Sequence, residues 1–347
     1  MPKRISVVNA TPIRVVIVTM DSHLAGAADR AGIALRREMP GLQLATHAAD
    51  EWGSDSAALD ACLNDIAQGD IVITTMMFLE DHIRAIMPAL IARRDCCDAI
   101  CCCMSAGEVV KLTRLGKFNM RGEAKGSMAL LKRLRGNRGA GAKPASGAEQ
   151  MKMLRRLPKL MKFIPGTAQD VRAYFLALQY WLAGSEENLA NMVRLLVDRY
   201  ARGPRQSLAG TIRTAQPVEY PDVGLYHPRA SGRIVERVEH LPASSEAVGT
   251  VGLIVMRSYV LAGNAAHYDG AIAALESKGL RVIPAFSSGL DARPAVERYF
   301  LRDGVATVDA VVSLTGFSLV GGPPTTTRAR QKTSSPKWMC PIFRPTR

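Results

Sequence analysis

The sequence predicts an α/β protein with two open parallel-sheet units, joined by a helical and basic linker region. Short β-branched runs alternate with amphipathic helical stretches near the N-terminus and again after residue 248. This alternation is typical of parallel strands that are buried on both faces. Hydrophobic residues make up 48% of the 347 residues and aromatic residues only 5%, so aliphatic side chains must fill the cores. A chain of this length can form two domains.

The first unit has four predicted strands with helices between them, an order that favours a doubly wound, flavodoxin-like sheet. The predicted strands are Ile13–Thr19, Leu42–Thr46, Asp70–Thr75 and Asp98–Met104. The predicted helices are Asp21–Met39, with Ser22 as its N-cap, Ala57–Ala67 and Leu79–Arg93.

The second unit repeats this pattern with three strands and two helices. Its strands are predicted over Val251–Met256, Arg281–Phe286 and Asp309–Leu314, and its helices over Ala265–Lys278 and Pro294–Arg302. Open α/β sheets bind ligands at the carboxyl ends of their strands. The loops after these strands are therefore the first places to look for a functional site.

The intervening sequence predicts helices rather than strands. We expect a helix over Ala106–Leu115, two strong amphipathic helices over Thr167–Gly184 and Ser185–Tyr200, and an irregular stretch over Pro217–His227. Ser185 is the expected N-cap of the second strong helix. The predicted domains are residues 1–110 (first α/β domain), 111–166 (basic linker or insertion), 167–248 (helical and irregular connector), 249–323 (start of the second α/β domain) and 324–347 (tail).

The net charge of +14 is concentrated in two places. Residues 111–164 hold 15 Lys and Arg against two acids, the tail holds six against none, and the remainder holds 24 basic and 29 acidic residues. Because the remainder is mildly acidic and the basic region has few aromatics, we expect no nucleic-acid partner. The basic region is interpreted as a solvated insertion, a docking segment for another subunit, or a surface for anionic lipid.

Five of the seven cysteines lie in the segment RDCCDAICCCMS, on a predicted strand. Alternate residues of a strand point to opposite faces, whereas zinc ligands are usually paired at short spacing on loops. We therefore interpret the cysteines as small buried hydrophobes in a reducing compartment rather than as a metal site. No apolar run reaches the roughly 18 residues of a membrane span, and no signal-peptide pattern is present, so we expect a soluble cytoplasmic protein.

Several segments resemble one known family. RSYVLAGNAAHYD, VIPAFSSGLD and VVSLTGFSLVGGP in the second unit, and VVIVTMDSHLAGA and CCCMSAGEVVKLTRLGKFNM in the first, are similar to the porphyrin-binding H subunits of magnesium chelatase. They also resemble the related large subunit of cobaltochelatase. The resemblance covers Ile13 to Pro323, and the family protein is several times larger than this chain.

The resemblance implies a ligase subunit that binds protoporphyrin IX. Together with two smaller subunits, one of them an AAA+ ATPase, it would insert Mg²⁺ at the expense of ATP in chlorophyll or bacteriochlorophyll biosynthesis. The tail, PTTTRARQKTSSPKWMCPIFRPTR, departs from the family pattern and has no helix or strand signal, so we expect a frameshifted fragment that is inactive alone. The alternatives are a non-catalytic porphyrin-binding or partner-docking module, and a fragment of a cobaltochelatase large subunit.

Two residues of the second unit are candidates for porphyrin binding. Arg257 directly follows a predicted strand, where it is placed to pair with a porphyrin propionate. His267, in AGNAAHYDGAI, begins the next helix beside the expected ligand crevice. We predict no catalytic residue and no metal ligand within the chain.

Other motifs point away from catalysis by this chain. The P-loop pattern GxxxxGK[ST] and the pattern GxGxxG are absent from the sequence, so ATP binding is expected only in a partner. Gly316, Gly321 and Gly322 predict a tight loop. Ser105 lacks the GxSxG context of a hydrolase nucleophile, and neither His23 nor His82 has a second ligand at metal spacing.

Overall fold

The computed structural model describes residues 10–120, 156–242 and 246–319, and the backbone of Ile342 and Phe343. It divides into two compact units, with the boundary between Val218 and Glu219. Each unit is built on a six-stranded sheet. The predicted α/β class, with parallel strands in both units, is confirmed.

The first unit has six strands, four of them parallel. The strands are β1 (Ile13–Thr19), β2 (Leu42–Ala48), β3 (Ile71–Thr75), β4 (Ala99–Cys103), β5 (Arg114–Leu115) and β6 (Phe118–Asn119). The helices are α1 (Ala25–Arg36), α2 (Ser56–Gln68), α3 (Glu80–Arg94), α4 (Gly107–Val110), α5 (Thr167–Ala183) and α6 (Glu186–Tyr200). The strand order is β2-β1-β3-β4-β5-β6, with β5 and β6 antiparallel at the edge.

Burial explains why the central strands are nearly continuous apolar runs in the sequence. Every residue of β3 and β4 is buried, as expected for parallel strands covered by helices on both faces. The predicted burial of the cysteines is confirmed for Cys62, Cys97 and the three cysteines of β4, but Cys96 is exposed. Cys340 lies outside the described residues.

Two helices of the first unit, α2 and α6, begin with a side-chain cap. The Asp55 side chain accepts from the Ala57 N–H at 2.9 Å and begins α2, and Ser185 caps α6 as predicted by accepting from the Asn188 N–H at 3.3 Å. The prediction for Ser22 is wrong. Leu24 occupies the N-cap position of α1, and Ser22 contributes only its carbonyl oxygen, which accepts from the Ala25 N–H.

The segment after β4 differs from the predicted helix Ala106–Leu115. The helix is a single turn, α4, and the chain then forms the β5–β6 hairpin. Gly116 turns this hairpin with φ of +57°, and a Cβ there would lie 2.8 Å from an oxygen of Asp170. Only glycine fits this close approach of the hairpin to α5, which a helical periodicity cannot reveal.

Helices α5 and α6 belong to the first unit, although we expected residues 167–248 to form a connector. They pack on each other, and α6 packs on α1. The Arg194 guanidinium donates two hydrogen bonds to the Glu38 carboxylate, at 2.9 and 2.6 Å, and reinforces this contact. Gly184 ends α5 in the left-handed conformation, with φ of +58°.

The second unit has a mixed sheet with parallel strands at its centre. Its strands are β7 (Val223–Tyr226), β8 (Ile234–Val235), β9 (Gly249–Ile254), β10 (Leu280–Ser287), β11 (Leu301–Arg302), β12 (Val305–Ala306), β13 (Ala310–Ser313) and β14 (Ile342–Phe343). Its helices are α7 (Arg257–Leu261), α8 (Ala266–Glu276) and α9 (Arg293–Tyr299). The sheet order is β14-β13-β9-β10-β7-β8, and β11 and β12 form a separate hairpin.

Three strands of this sheet lie where the sequence predicts none. β7 falls in the stretch expected to be irregular and pairs antiparallel with β10, β8 pairs antiparallel with β7, and β14 falls in the tail and pairs parallel with β13. All three are short segments that extend an existing sheet, so pairing with a neighbour rather than local propensity defines them. In the part of the chain that the structure describes, no helix combines the length and apolarity of a membrane span.

Candidate functional site

The candidate site lies at the carboxyl ends of β9 and β13 in the second unit. The chain runs from β9 to β10 on one side, and β13 then lies on the other side of β9. The connection therefore reverses between β9 and β13, which is the position where open α/β sheets form a ligand crevice. Residues 255–269 follow β9 at this edge, and they include both predicted site residues.

Arg257 is the first residue of α7 and is half-buried. Its Nε donates to the Pro221 carbonyl at 2.9 Å and its Nη2 to the Tyr220 carbonyl at 3.2 Å. The side chain thus fastens the segment before β7 to the carboxyl edge of β9. Its charge is placed at the crevice, and its orientation is fixed by two backbone acceptors.

His267 is the second residue of α8 and is exposed. Its ring meets the ring of Tyr259 edge-on, with 5.4 Å between centroids, and lies 3.8 Å from that of Tyr268. Desolvation by these neighbours lowers the pKa of His267, although the Asp269 carboxylate acts in the opposite direction. The imidazole is therefore held neutral at physiological pH, a form that both donates and accepts hydrogen bonds.

Tyr268 anchors the helix that carries His267. The side chain is 1% exposed, and its hydroxyl accepts from the Met256 N–H at 3.1 Å. Burial raises the pKa of Tyr268 to about 12, so the hydroxyl stays neutral. This bond ties the start of α8 to the first residues after β9, and it fixes His267 at the edge of the sheet.

Asp269, the third residue of the HYD sequence, has a structural role. Its carboxylate accepts from the Tyr226 hydroxyl at 2.5 Å and pairs with Arg233 at 2.9 Å. The three consecutive residues therefore divide into an exposed imidazole, a buried anchor and a link to the β7–β8 hairpin. Tyr259 is the neighbour that sequence reasoning missed, because its contact with His267 depends on the short helix α7 turning back over α8.

The structure places both predicted residues on the chain that follows β9, but it gives them different neighbours. The polar contacts of Arg257 described above are with residues 220 and 221, whereas His267 lies among Tyr259 and Tyr268. Gly316, after β13, has φ of +72° and turns the loop on the other side of the crevice. Gly321 and Gly322 lie outside the described residues.

A second crevice is marked by polar atoms at the carboxyl edge of the first unit. Among the described residues, the buried side-chain polar atoms without a hydrogen-bond partner all lie here: Thr19 Oγ1, Trp52 Nε1, Thr74 Oγ1, Thr75 Oγ1 and His82 Nδ1. The three threonines end β1 and β3, the neighbouring strands between which this sheet reverses its connection. Thr74 lies beside the Cys102 thiol, and the other four atoms call for a partner such as water or a ligand.

The other first-unit candidates have structural roles. The Ser105 hydroxyl donates to the Cys103 carbonyl at 3.1 Å and accepts from the Met77 N–H at 3.1 Å, so it braces the loops after β3 and β4. His23 pairs with Asp21 two residues earlier. Over residues 10–120, 156–242 and 246–319, no three His, Cys, Asp or Glu side chains converge as metal ligands.

Comparison with protein families matches the two parts of the chain separately. Residues 14–175 match a domain of unknown function, DUF3479, and residues 178–347 match the CobN/magnesium chelatase family. The two ranges follow one another along the chain and together include both candidate crevices.

Curated relatives match over most of the chain. The H subunit of magnesium chelatase from Cereibacter sphaeroides is 48% identical over 309 residues, which cover 89% of this chain and 26% of that protein. The chloroplastic ChlH protein of magnesium chelatase from Oryza sativa subsp. indica is 33% identical, over 83% of this chain and 21% of that protein. The chain thus spans about a quarter of the length of these relatives.

Among solved structures, the catalytic subunit of cobaltochelatase from Mycobacterium tuberculosis is similar over 87% of this chain and 18% of that chain. The TM-score is 0.40 and the identity is 17%. A likeness of this size carries no argument about function.

Proposed function

Since the chain belongs to the CobN/magnesium chelatase family, we propose that it forms part of the H subunit of a magnesium chelatase. Such a protein binds protoporphyrin IX while Mg²⁺, the substrate metal, is inserted at the expense of ATP in chlorophyll or bacteriochlorophyll biosynthesis. The observation that carries the proposal is the 48% identity to a named relative of this kind over 89% of this chain.

The contribution of this chain is a tetrapyrrole contact at the carboxyl edge of β9. The exposed, neutral His267 and the ring of Tyr259 present an aromatic surface that suits a flat macrocycle. Arg257 supplies a positive charge on the same stretch of chain, which suits a propionate of the porphyrin. Its two backbone acceptors hold the guanidinium in a fixed direction.

Metal insertion itself requires more than this chain provides. Pyrrole protons must be removed and hydrated Mg²⁺ must reach the ring. We propose that the chain acts with the two smaller chelatase subunits, of which the AAA+ ATPase binds ATP, and that it does not chelate alone. A cytoplasmic location of the chain remains a prediction.

The proposal is tested by titrating the purified chain with deuteroporphyrin IX and following porphyrin fluorescence. We expect saturable binding, which His267→Ala weakens severalfold. The matched control is His240→Ala, another exposed histidine of the second unit, which should bind like the wild type. A folded chain that does not bind porphyrin at all would refute the proposed contact.

A second candidate function is a non-catalytic porphyrin-binding module that uses the first unit. The unpaired polar atoms at the carboxyl edge of the first sheet favour it, because the Trp52 indole can only donate and requires an acceptor. Trp52→Phe removes this donor and keeps an aromatic, apolar side chain, which is smaller than the indole. If this substitution weakens porphyrin binding and His267→Ala does not, the first unit holds the ligand.

A cobaltochelatase fragment is the remaining alternative. In that case a corrin precursor should compete with deuteroporphyrin for the chain. Competition by protoporphyrin IX without competition by the corrin would exclude it.

A further inference from the structure

Residues 156–164 of the first unit form an exposed apolar and basic surface, which we call the 156–164 patch. Three of its apolar side chains are exposed to solvent: Leu160 is 60% exposed, Phe163 84% and Ile164 39%. Arg156, Lys159 and Lys162 are exposed on the same segment. The sequence RLPKLMKFIPG (156–166) contains no acidic residue.

The patch is held firmly by the residues between its exposed side chains. Leu157 is 5% exposed and Met161 is fully buried, so alternate turns of the segment anchor in the core of the first unit. The Gln169 side-chain amide donates to the carbonyls of Met161 at 2.8 Å and of Ile164 at 2.6 Å. The exposed side chains are therefore presented outward by a fixed backbone.

Helix α5 supports the patch and adds no opposing charge to it. The Arg172 guanidinium donates to the Pro158 carbonyl at 3.0 Å. Asp170, the acidic residue in the first turn of α5, points inward: its side chain is 13% exposed and it bonds to the Tyr200 hydroxyl and pairs with Arg199. The charge of the exposed surface is thus positive throughout the described part of this segment.

We propose that the 156–164 patch binds the interface of a membrane that contains anionic lipid. Interfacial segments combine a few apolar side chains at the headgroup boundary with Lys or Arg beside the lipid phosphates. The patch has both components on one rigid surface. Lys162 Nζ lies 5.5 Å from the centre of the Phe163 ring, which keeps a cation at headgroup depth when the ring inserts.

Composition favours lipid over a protein partner. A stable protein interface buries about 800 Å² on each side and uses roughly 20–30 residues, whereas three apolar side chains are exposed here. Lysine is depleted in protein interfaces, whereas aromatic residues and arginine are enriched. The described patch has two lysines, against one aromatic residue, Phe163, and one arginine, Arg156. A few apolar contacts and several cations are sufficient for binding to an anionic bilayer.

The surrounding sequence adds to the attraction. Residues 111–164 carry 15 Lys and Arg against two acids, and cationic residues near an anionic leaflet each contribute to binding. A single weak anchor gives reversible attachment, and a second signal makes it stable. The exposed apolar side chains and the cations Arg156, Lys159 and Lys162 would supply these two signals. This inference does not depend on porphyrin binding by the chain.

The test uses the complete 347-residue chain and sucrose-loaded vesicles that are sedimented by centrifugation. We expect binding to vesicles of phosphatidylglycerol and phosphatidylcholine, and none to phosphatidylcholine alone. The double substitution Lys159→Gln and Lys162→Gln should weaken binding about 30-fold, since each lysine contributes about 1 kcal/mol. Leu160→Ser with Phe163→Ser should weaken it about tenfold.

A matched control distinguishes binding through the 156–164 patch from non-specific adsorption of exposed apolar side chains. Phe78 and Leu79 are 52% and 54% exposed in the same unit, and Phe78→Ser with Leu79→Ser should leave vesicle binding unchanged. All four apolar positions are exposed, so the variants are expected to fold, which circular dichroism and thermal melting check. An added tryptophan, Phe163→Trp, should be quenched by brominated phosphatidylglycerol if the ring inserts.

Two outcomes would overturn the inference. One is a folded wild-type chain that does not bind anionic vesicles, which would leave the patch to an acidic protein surface. The other is unchanged binding after Leu160→Ser with Phe163→Ser, which would place the attachment elsewhere in the chain.

Discussion

The carboxylate of Asp98 accepts two hydrogen bonds from the guanidinium of Arg205, at 2.8 and 3.0 Å. Asp98 directly precedes β4, and its side chain is only 2% exposed. Arg205 follows 107 residues later, in the 3₁₀ turn Gly203–Leu208. Arg202 also donates its backbone N–H to this carboxylate. The pair therefore ties the chain that leaves α6 to the amino ends of the first sheet.

Removing this carboxylate should destabilise the first unit strongly. Asp98→Ala leaves Arg205 without its principal acceptor in a largely desolvated position, and we expect a loss of about 3 kcal/mol in the free energy of unfolding. Urea denaturation followed by tryptophan fluorescence measures it, because Trp52 and Trp181 both lie in the first unit. Asp60→Ala, on the exposed face of α2, is the control and should change stability by less than about 0.5 kcal/mol.

Gly252, in the middle of β9, makes room for a ring of the second-unit core. A Cβ at this position would lie 2.7 Å from Cε2 of Phe300, and Phe300 is fully buried. We expect Gly252→Ala to destabilise the second unit by about 2 kcal/mol through overpacking. Thermal unfolding by circular dichroism measures this loss.

The smaller side chain in Phe300→Leu should relieve the overpacking. The double substitution should then be less destabilising than the sum of the two single changes, because the sites are in contact. Strict additivity would show that the ring does not fill the space above Gly252.

His227 should make the second unit sensitive to acid. The ring is 1% exposed; Nδ1 accepts from the Arg229 backbone N–H at 3.2 Å, and Nε2 lies 3.2 Å from the Glu276 carboxylate. This geometry assigns the neutral tautomer with its proton on Nε2. Burial lowers the pKa of His227 and outweighs Glu276, which acts to raise it.

The sign of the pH dependence follows from this lowered pKa. Below about pH 6.5 the unfolded chain takes up a proton on this histidine before the folded chain does. The stability that His227 contributes is therefore present above about pH 6.5 and is lost as the pH falls through the lower, folded pKa. Urea unfolding between about pH 7.5 and 5 measures this effect. The free energy of unfolding of His227→Gln should fall less steeply with falling pH than that of the wild type, whereas the exposed His240→Gln should behave like the wild type.

Thiol labelling should distinguish Cys96 from its buried neighbours. Burial raises the pKa of the Cys62 thiol to about 12 and also raises the pKa values of Cys97 and Cys102. The hydrogen bond with Cys103, together with burial, raises the pKa of Cys101. Both the thiolate population and the access of a reagent are therefore low at these thiols.

In a Cys340→Ser background we expect one thiol to react rapidly with a maleimide at neutral pH. Adding Cys96→Ser should abolish this fast phase, as counted by intact mass. Rapid reaction of two or more thiols in the folded chain would contradict the burial of β4.

Periodicity and β-branched runs located the regular elements well. The strand Ile13–Thr19 has the predicted bounds, and α2, β10 and α6 differ by one or two residues at their ends. Segments that depend on a distant neighbour were missed. β7 exists because it pairs with β10, and the helix predicted from Ala106 stops after one turn because Gly116 brings the hairpin against Asp170.

The candidate site was predicted only in part. The pattern of strand, loop and helix placed Arg257 and His267 after β9, since the carboxyl end of a parallel strand is readable from local order. The sequence did not predict which residues Arg257 and His267 contact. The carbonyls that Arg257 contacts and the ring of Tyr259 beside His267 are brought there by the turn of α7, for which a loop was predicted.

By itself the sequence determined the α/β class, the central strands and the longer helices of both units, and the family resemblance, because local periodicity and short sequence motifs carry this information. Only the tertiary structure decided that α5 and α6 belong to the first unit, that Asp98 and Arg205 meet, and that Leu160 and Phe163 point outward while Leu157 and Met161 anchor the segment. The physical reason is that these features rest on contacts between residues far apart in the chain, or on which face of a segment finds a core to pack against.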